Sequence, residues 1–146
     1  MFTHLLPTTN NLLSVKYEDF AQRHFRSTFV KKYAPKWWNA TERSIFYDLQ
    51  RLRILGNNTQ KTDQLDELKY YDCHWLAKYD FKVAGTKVSK KDSGNRCIIY
   101  IDDKLNQLSI LMIYHKDNLP KNKSETQYIM DTVQKEYKEY WSKVIS

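Results

Sequence analysis

The period of the hydrophobic pattern changes twice along this chain. From about position 17 to 33, and again from Asn39 to about Leu55, apolar side chains recur every three or four residues, which predicts two amphipathic helices. Ala34-Pro35 separates the two stripes, because the residue before a proline disfavours helical geometry. The first third of the chain is therefore predicted to form a helical hairpin.

In the middle of the chain the period becomes two, which is the spacing of β-strands. Strands are predicted at Trp75–Val83, Arg96–Asp102 and Leu108–His115, and the polar residues 57–68 are predicted to form a loop. The third strand is apolar on both faces, which is typical of a strand at the centre of a sheet. A lysine-rich loop, residues 85–95, joins the first two strands.

The last segment returns to helical spacing after a capping box, Ser124-x-x-Gln127. Five residues of this helix are predicted to face inward: Ile129, Val133, Tyr137, Tyr140 and Val144. Residues 1–13 are predicted to be an N-terminal extension of a single domain that spans residues 1–146. The order of elements predicts an α+β fold, with the helical hairpin packed on a small, mainly antiparallel sheet and a C-terminal helix closing it.

Composition narrows the class of partner. The chain has 146 residues, with Lys+Arg 24 against Asp+Glu 17, which gives a net charge of +7. Such an excess is found on many solvated basic surfaces, and it also favours a polyanionic partner such as nucleic acid.

The sequence also indicates a compartment. The N-terminus lacks the basic and apolar regions of a signal peptide, and no run approaches the ~20 apolar residues of a membrane span. Cys73 and Cys97 each lie in an apolar, strand-like run and are predicted to be buried thiols. We therefore expect a cytoplasmic protein that does not act at a membrane. No His/Cys cluster with zinc spacing and no phosphate-binding glycine motif occurs, so neither a metal nor a cofactor is expected.

Candidate chemistry is concentrated in the predicted sheet. Because the side chains of a strand alternate between faces, Lys78 and Lys82 are predicted to lie opposite the core residues of their strand. Arg96 begins the next strand and can lie near Lys82. The alternative is that these cations form only a solvated face. Four lysines are predicted to contact a nucleic-acid backbone without sequence preference, unless they are simply solvated: Lys78 of the first strand and Lys87, Lys90 and Lys91 of the loop.

The third strand ends in Tyr114-His115-Lys116, where side chains leave the sheet. We expect these three to share one basic hollow with Arg96 and Lys82. The alternative is that Tyr114 fills the core and His115 only ends a strand. A nuclease site requires that Arg96 and His115 lie close together and that neither side chain is buried inside the core.

The run KVAGT…SGNRCIIYID…NQLSILMIYHKDN…ETQ resembles the RelE/HigB group of type II toxin–antitoxin toxins, which are small ribonucleases. The matching features are the lysine of the first strand, the Ser93-Gly94 loop, the strand that begins at Arg96, and the apolar strand that ends at Lys116. The resemblance covers roughly residues 15–135. The chain departs from the group's pattern at Asn95, where a second glycine is usual.

This resemblance implies a metal-independent endoribonuclease that cleaves mRNA on the ribosome and is silenced by an antitoxin protein. In such cleavage the ribose 2′-OH attacks the adjacent phosphorus and the 5′-oxygen leaves. In this hypothesis Arg96 binds the phosphate, and Lys82 and Lys116 neutralise the charge that develops on it. His115 acts as the acid or base in the proton transfers. Tyr114 would orient or stack on the nucleotide. Two alternatives remain: a non-enzymatic protein of the same fold that inhibits DNA gyrase, and a nucleic-acid-binding module.

Overall fold

The computed structural model describes residues 12–52 and 64–145. Five strands form one mixed sheet: β1 (Ser14–Tyr17), β2 (Leu65–Tyr71), β3 (His74–Phe81), β4 (Asn95–Asp102) and β5 (Gln107–His115). Helical segments follow β1 and β5: α1 (residues 19–32), α2 (Pro35–Gln50), α3 (Glu125–Glu136) and α4 (Lys138–Ile145). The α1 segment is not uniform, because its middle, Gln22–Arg26, is a π-helix and its end, Val30–Lys32, is a 3₁₀ turn.

The strands lie in the order β1-β5-β4-β3-β2. The pairings from β2 to β5 are antiparallel, whereas β1 runs parallel to β5. This short strand pairs only with Gln107 to Ile110, so the remainder of β5, which leads to His115, does not pair with β1. The open length of β5 is where α1 approaches the sheet.

Helices cover both faces of the sheet. On one face α1 and α2 bury residues such as Phe29, Trp38 and Ile45 against Phe81 and Ile99. On the other face, α3 and α4 bury a second set against β3, β4 and β5: Ile129, Val133, Tyr137 and Val144. Every residue of the central strand β4 is consequently buried, polar ends included. In β5, which lies next to it, every residue between the two ends is buried, which explains why that strand is apolar on both faces.

The prediction of an α+β fold is confirmed, but the order of its elements was incomplete. The strand β1 precedes the helices, and its short, half-exposed sequence SVKY carries no periodic signal. The prediction that residues 57–68 form a loop is wrong from Leu65 onward, because β2 begins there. This edge strand exposes most of its residues, so its polar sequence resembles that of a loop.

Three local predictions also need correction. Helix α2 begins at Pro35 rather than Asn39, since proline fits the first turn, where its missing N–H is not needed. The single C-terminal helix is two helices that meet at Tyr137. Cys73 is not in a strand; it lies in the β2–β3 turn with a φ of 71°. The capping of α3 by the Ser124 side chain is confirmed, with a 3.1 Å bond from the Gln127 amide.

The Tyr137 hydroxyl fastens the helix junction to a bulge in β5. Ile98 pairs with Met112 and Ile99 with Ile110, so Leu111 is an extra residue in its strand. The buried Tyr137 hydroxyl donates a 2.8 Å hydrogen bond to the Leu111 carbonyl.

We expect Tyr137→Phe to lower the free energy of unfolding by about 1–2 kcal/mol, because it leaves a buried carbonyl without this donor while the ring is kept. Urea denaturation would measure the loss. The control is Tyr47→Phe, since Tyr47 is 58% exposed. Equal stabilities of the two variants would contradict the assigned role of the Tyr137 hydroxyl.

Candidate functional site

One end of the sheet collects most of the predicted site residues. Phe81, Asn95 and His115 are neighbours in the register, so β3 ends, β4 begins and β5 ends at the same edge of the molecule. The start of α2 lies against this edge, because the Thr41 hydroxyl accepts a 2.7 Å hydrogen bond from the Ala84 amide. We call this region the basic end. Its exposed or half-exposed lysines are Lys82, Lys87, Lys90, Lys91 and Lys116.

The loop of the basic end has internal order. The Ser93 hydroxyl donates to the carbonyls of Phe81 and Lys90 and accepts a 3.1 Å bond from the Asn95 amide. A second turn is closed by the Asp92 amide, which donates to the Ser89 hydroxyl. These bonds fix the backbone of the loop, so the lysines project from a folded turn rather than from an unstructured loop.

Few carboxylates neutralise these lysines. Lys90 lies 4.0 Å from the Asp48 carboxylate. Across residues 12–52 and 64–145, no ion pair is formed by Lys82, Lys87, Lys91 or Lys116. Lys78, by contrast, is half-buried in β3, and its ammonium lies 3.8 Å from the Asp66 carboxylate. Its charge is therefore neutralised by the neighbouring strand β2.

Arg96 lies beneath this surface and is only 7% exposed. Its guanidinium donates to the Asp80 carboxylate and to the Glu125 carboxylate, each at 2.9 Å. The Tyr114 hydroxyl donates to the same Glu125 oxygen at 2.9 Å. We call these four residues the Arg96 cluster. Because Glu125 is the first residue of α3, the cluster fastens this helix to the sheet.

Burial governs the ionisation of the Arg96 cluster. It raises the pKa of Asp80, and the Arg96 charge opposes that rise. Burial also raises the pKa of Tyr114, and the Glu125 charge adds to the increase. The Tyr114 hydroxyl is therefore protonated at neutral pH and can donate a hydrogen bond, but it cannot serve as a phenolate base.

The predicted convergence of Arg96 and His115 is not found. Arg96 pairs directly with Tyr114 across the ladder, so these two side chains share a face of the sheet. His115 follows Tyr114, and consecutive side chains of a strand point to opposite faces. Arg96 therefore faces the α3 side, with its guanidinium engaged by two carboxylates, while His115 faces the α1 side. The catalytic set assigned from the sequence is divided by the sheet.

His115 instead lines a hollow of about 210 Å³ at the open edge of β5. We call it the β5 hollow. It lies where β1 no longer covers the strand, between α1, the end of β5 and the first turn of α3. The polar groups that line it come from His24, Thr28, Lys32, Tyr114, His115, Asn118 and Tyr128. The hollow therefore brings together Tyr114 and His115, as expected, but not Arg96.

The His115 ring is held in one orientation. Its Nδ1 accepts a 3.1 Å hydrogen bond from the Asp117 amide, so in the neutral ring the proton is on Nε2. That second nitrogen faces Gly94, where a Cβ atom would lie only 2.8 Å from it. A neutral imidazole fixed in this way can donate a hydrogen bond from Nε2 to a phosphate oxygen, and as an imidazolium it could transfer that proton to a leaving oxygen.

Several residues of these two arrangements were missed from the sequence. Asp80 and Glu125 were not assigned as partners of Arg96, although the strand register pairs Asp80 with Arg96 directly. His24 and Lys32 reach the β5 hollow only because α1 packs on the open edge of β5. Their helical spacing contains no signal for this contact.

Within the described ranges, no helix is long and apolar enough to cross a membrane, and no group of three or more His, Cys, Asp or Glu side chains could hold a metal ion. Comparison with known proteins found no matching family model and no match among curated proteins or solved structures.

Proposed function

We propose that the chain binds nucleic acid by its phosphodiester backbone, at the basic end of the sheet. The observation that carries this proposal is the set of lysines that project from the ordered 82–94 loop and from the end of β5, most of them without a carboxylate partner among the described residues. Ammonium groups in this state attract phosphates and release the counterions condensed on a nucleic acid. Such contacts give affinity without sequence preference.

The test replaces Lys87, Lys90 and Lys91 together with glutamine. Affinity for a fluorescent single-stranded RNA of about 12 nucleotides should fall about tenfold or more at moderate salt. The slope of log affinity against log salt should become shallower by about 2, since each phosphate contact on a single strand contributes about 0.7. Fluorescence anisotropy over a salt series measures both quantities.

A matched control removes the same charge elsewhere. Lys16, Lys104 and Lys143 lie on β1, in the β4–β5 turn and on α4, away from the basic end. Their triple glutamine variant should keep the wild-type salt slope. Equal losses in the two triple variants would show that only net charge matters, and a wild-type protein that binds no nucleic acid would refute the proposal.

The β5 hollow favours a second candidate function, that of a RelE/HigB-type toxin that cleaves mRNA without a metal. In this hypothesis an RNA strand held at the basic end places one ribose-phosphate junction in the hollow. A bond forms between the 2′-oxygen and phosphorus while the bond from phosphorus to the 5′-oxygen breaks. The 2′-proton would pass to water. His115, as an imidazolium whose Nδ1 lies 3.8 Å from the Asp117 carboxylate, would give its Nε2 proton to the leaving oxygen, with Lys32 and Lys116 near the developing charge. The nuclease site predicted from the sequence required Arg96 and His115 to converge, and the sheet separates them, so that site is lost. This second version rests on the β5 hollow alone and gives Arg96 only a structural part.

Cleavage and binding are separable in one assay. A labelled RNA incubated with a chelator should give fragments that end in a 2′,3′-cyclic phosphate, and His115→Ala should abolish them while the anisotropy titration is unchanged. Intact RNA with the wild-type protein, on and off ribosomes, would leave binding as the function. Growth arrest with broken DNA and intact RNA would instead support the gyrase alternative. The antitoxin and ribosome as partners are part of the toxin hypothesis and depend on its outcome.

A further inference from the structure

The two adjacent tryptophans at the start of α2 have different environments. Trp38 is buried in the core, where its ring packs edge-on against Phe29 and Phe81. Trp37 is 43% exposed, although tryptophan side chains are highly buried on average. Core packing therefore accounts for Trp38 but not for the position of Trp37.

Trp37 is placed against the loop of the basic end. Gly85 has a φ of 88°, and a Cβ atom there would be 3.2–3.3 Å from three atoms of the fused indole ring. Three nearly equal distances show that the indole lies flat on the Gly85 backbone. A glycine at this position permits both the left-handed conformation and the close approach of the ring. The loop thus supports the indole from one side and fixes its plane.

One cation lies against the ring, and a second belongs to the turn that follows Gly85. The Lys36 ammonium lies 4.6 Å from the Trp37 ring centroid, and Lys87 follows Gly85 by two residues in an exposed turn. An indole fixed in plane among lysines has the two elements that single-stranded nucleic acids require, a stacking surface for a base and ammonium groups for the flanking phosphates. A duplex keeps its bases stacked on each other and presents no free base face to the indole.

We propose that Trp37 is a stacking platform for an unpaired nucleobase, so that the basic end selects single strands over duplexes. This inference rests on the proposed nucleic-acid binding and names its substrate class. Lys36 is expected to leave the ring and pair with a phosphate when a base stacks. A duplex should bind more weakly than a single strand, because its phosphates can reach the lysines while its bases cannot stack on Trp37.

The experiment compares two oligonucleotides of about 12 nucleotides with the same number of phosphates, one with bases and one abasic. Wild-type protein should bind the base-bearing strand about tenfold more tightly, which is the effect of one stacked base. Trp37→Leu should lose this preference, because leucine still covers Gly85 but has no aromatic face. Trp37→Phe should keep part of it. Binding of the abasic strand should be nearly equal in all three proteins.

The outcomes distinguish the Trp37 stacking platform from the backbone binding on which it rests. A Trp37→Leu protein that retains the full preference for bases would overturn the stacking platform and leave backbone binding intact. A wild-type protein that binds neither strand would refute backbone binding itself. A Trp37→Leu protein that loses the abasic strand as well would assign Trp37 to the shape of the loop, which also overturns the platform. Thermal melts of the variants identify any general loss of folding.

Discussion

Arg96→Ala is expected to lower the free energy of unfolding by about 3–5 kcal/mol. The substitution removes the shared cation of the Asp80 and Glu125 carboxylates, each of which now accepts a hydrogen bond from Arg96 at 2.9 Å. It leaves one buried and one half-buried acid close together without compensation, and it loosens the first turn of α3. Urea denaturation measures the loss. Lys116→Ala is the matched control, because it removes the same charge from an exposed position and should change stability by less than about 0.5 kcal/mol.

The Arg96→Ala deficit should depend on pH. Burial already raises the pKa of Asp80, and Arg96 opposes that rise, so without Arg96 the pKa must increase further. An acid whose pKa is higher in the folded protein than in the unfolded chain favours folding more as pH falls. The deficit should therefore shrink as the pH is lowered from neutral into the acid range. A deficit that grows on acidification would contradict the arrangement of charges in the Arg96 cluster.

A double substitution separates the ion pair from its surroundings. Asp80→Ala with Arg96→Ala should be less destabilising than the sum of the two single changes, because the first substitution removes one of the carboxylates that the second leaves unpaired.

The loss of stability in Arg96→Ala affects how a growth-arrest assay of the toxin hypothesis is interpreted. Loss of growth arrest in Arg96→Ala would reflect a destabilised fold, whereas loss of arrest in His115→Ala, whose ring is half-buried at the rim of the β5 hollow, would report on chemistry.

The sequence predicted the middle of the sheet well and its edges poorly. The strands β3, β4 and β5 bury most of at least one face, so burial imposes an apolar period that is visible in the sequence. The edge strands β1 and β2 have mostly polar or half-exposed residues, and their hydrogen bonds come from a neighbour that the local sequence does not identify. The parallel pairing of β1 with β5 joins segments about ninety residues apart, which no local pattern can indicate.

The candidate site was predicted as a set of residues but not as an arrangement. Period-two alternation places Arg96 on the α3 side, yet the side of His115 depends on the bulge at Leu111, which shifts the register of β5 by one residue. Without that bulge, the pairing of β4 with β5 could not be counted correctly from the turn. The ion pairs that engage Arg96 depend on α3, whose position over the sheet is a tertiary feature. The sequence therefore indicated which residues lie at this end of the sheet, but not that Arg96 and His115 lie on opposite faces of it.

Gly94→Ala should lower the free energy of unfolding by about 2–3 kcal/mol and displace the His115 ring. Gly94 has a φ of 79°, which costs about 1–2 kcal/mol for an alanine. The new methyl group would also lie 2.8 Å from His115 Nε2 and 2.9 Å from Cε1, so the ring must move out of its place in the β5 hollow. Denaturation measures the first effect, and the imidazole resonances of His115 in a proton NMR spectrum report the second.

Two comparisons divide the Gly94→Ala effect into its parts. Gly85→Ala has a similar φ of 88° but meets only the Trp37 ring at 3.2 Å, so it should cost less than Gly94→Ala. In a His115→Ala background the ring is absent, and Gly94→Ala should retain only the backbone cost of about 1–2 kcal/mol. If the cost is the same with and without His115, the imidazole does not rest on Gly94. In that event the fixed Nε2 on which proton transfer in the β5 hollow depends would have no support.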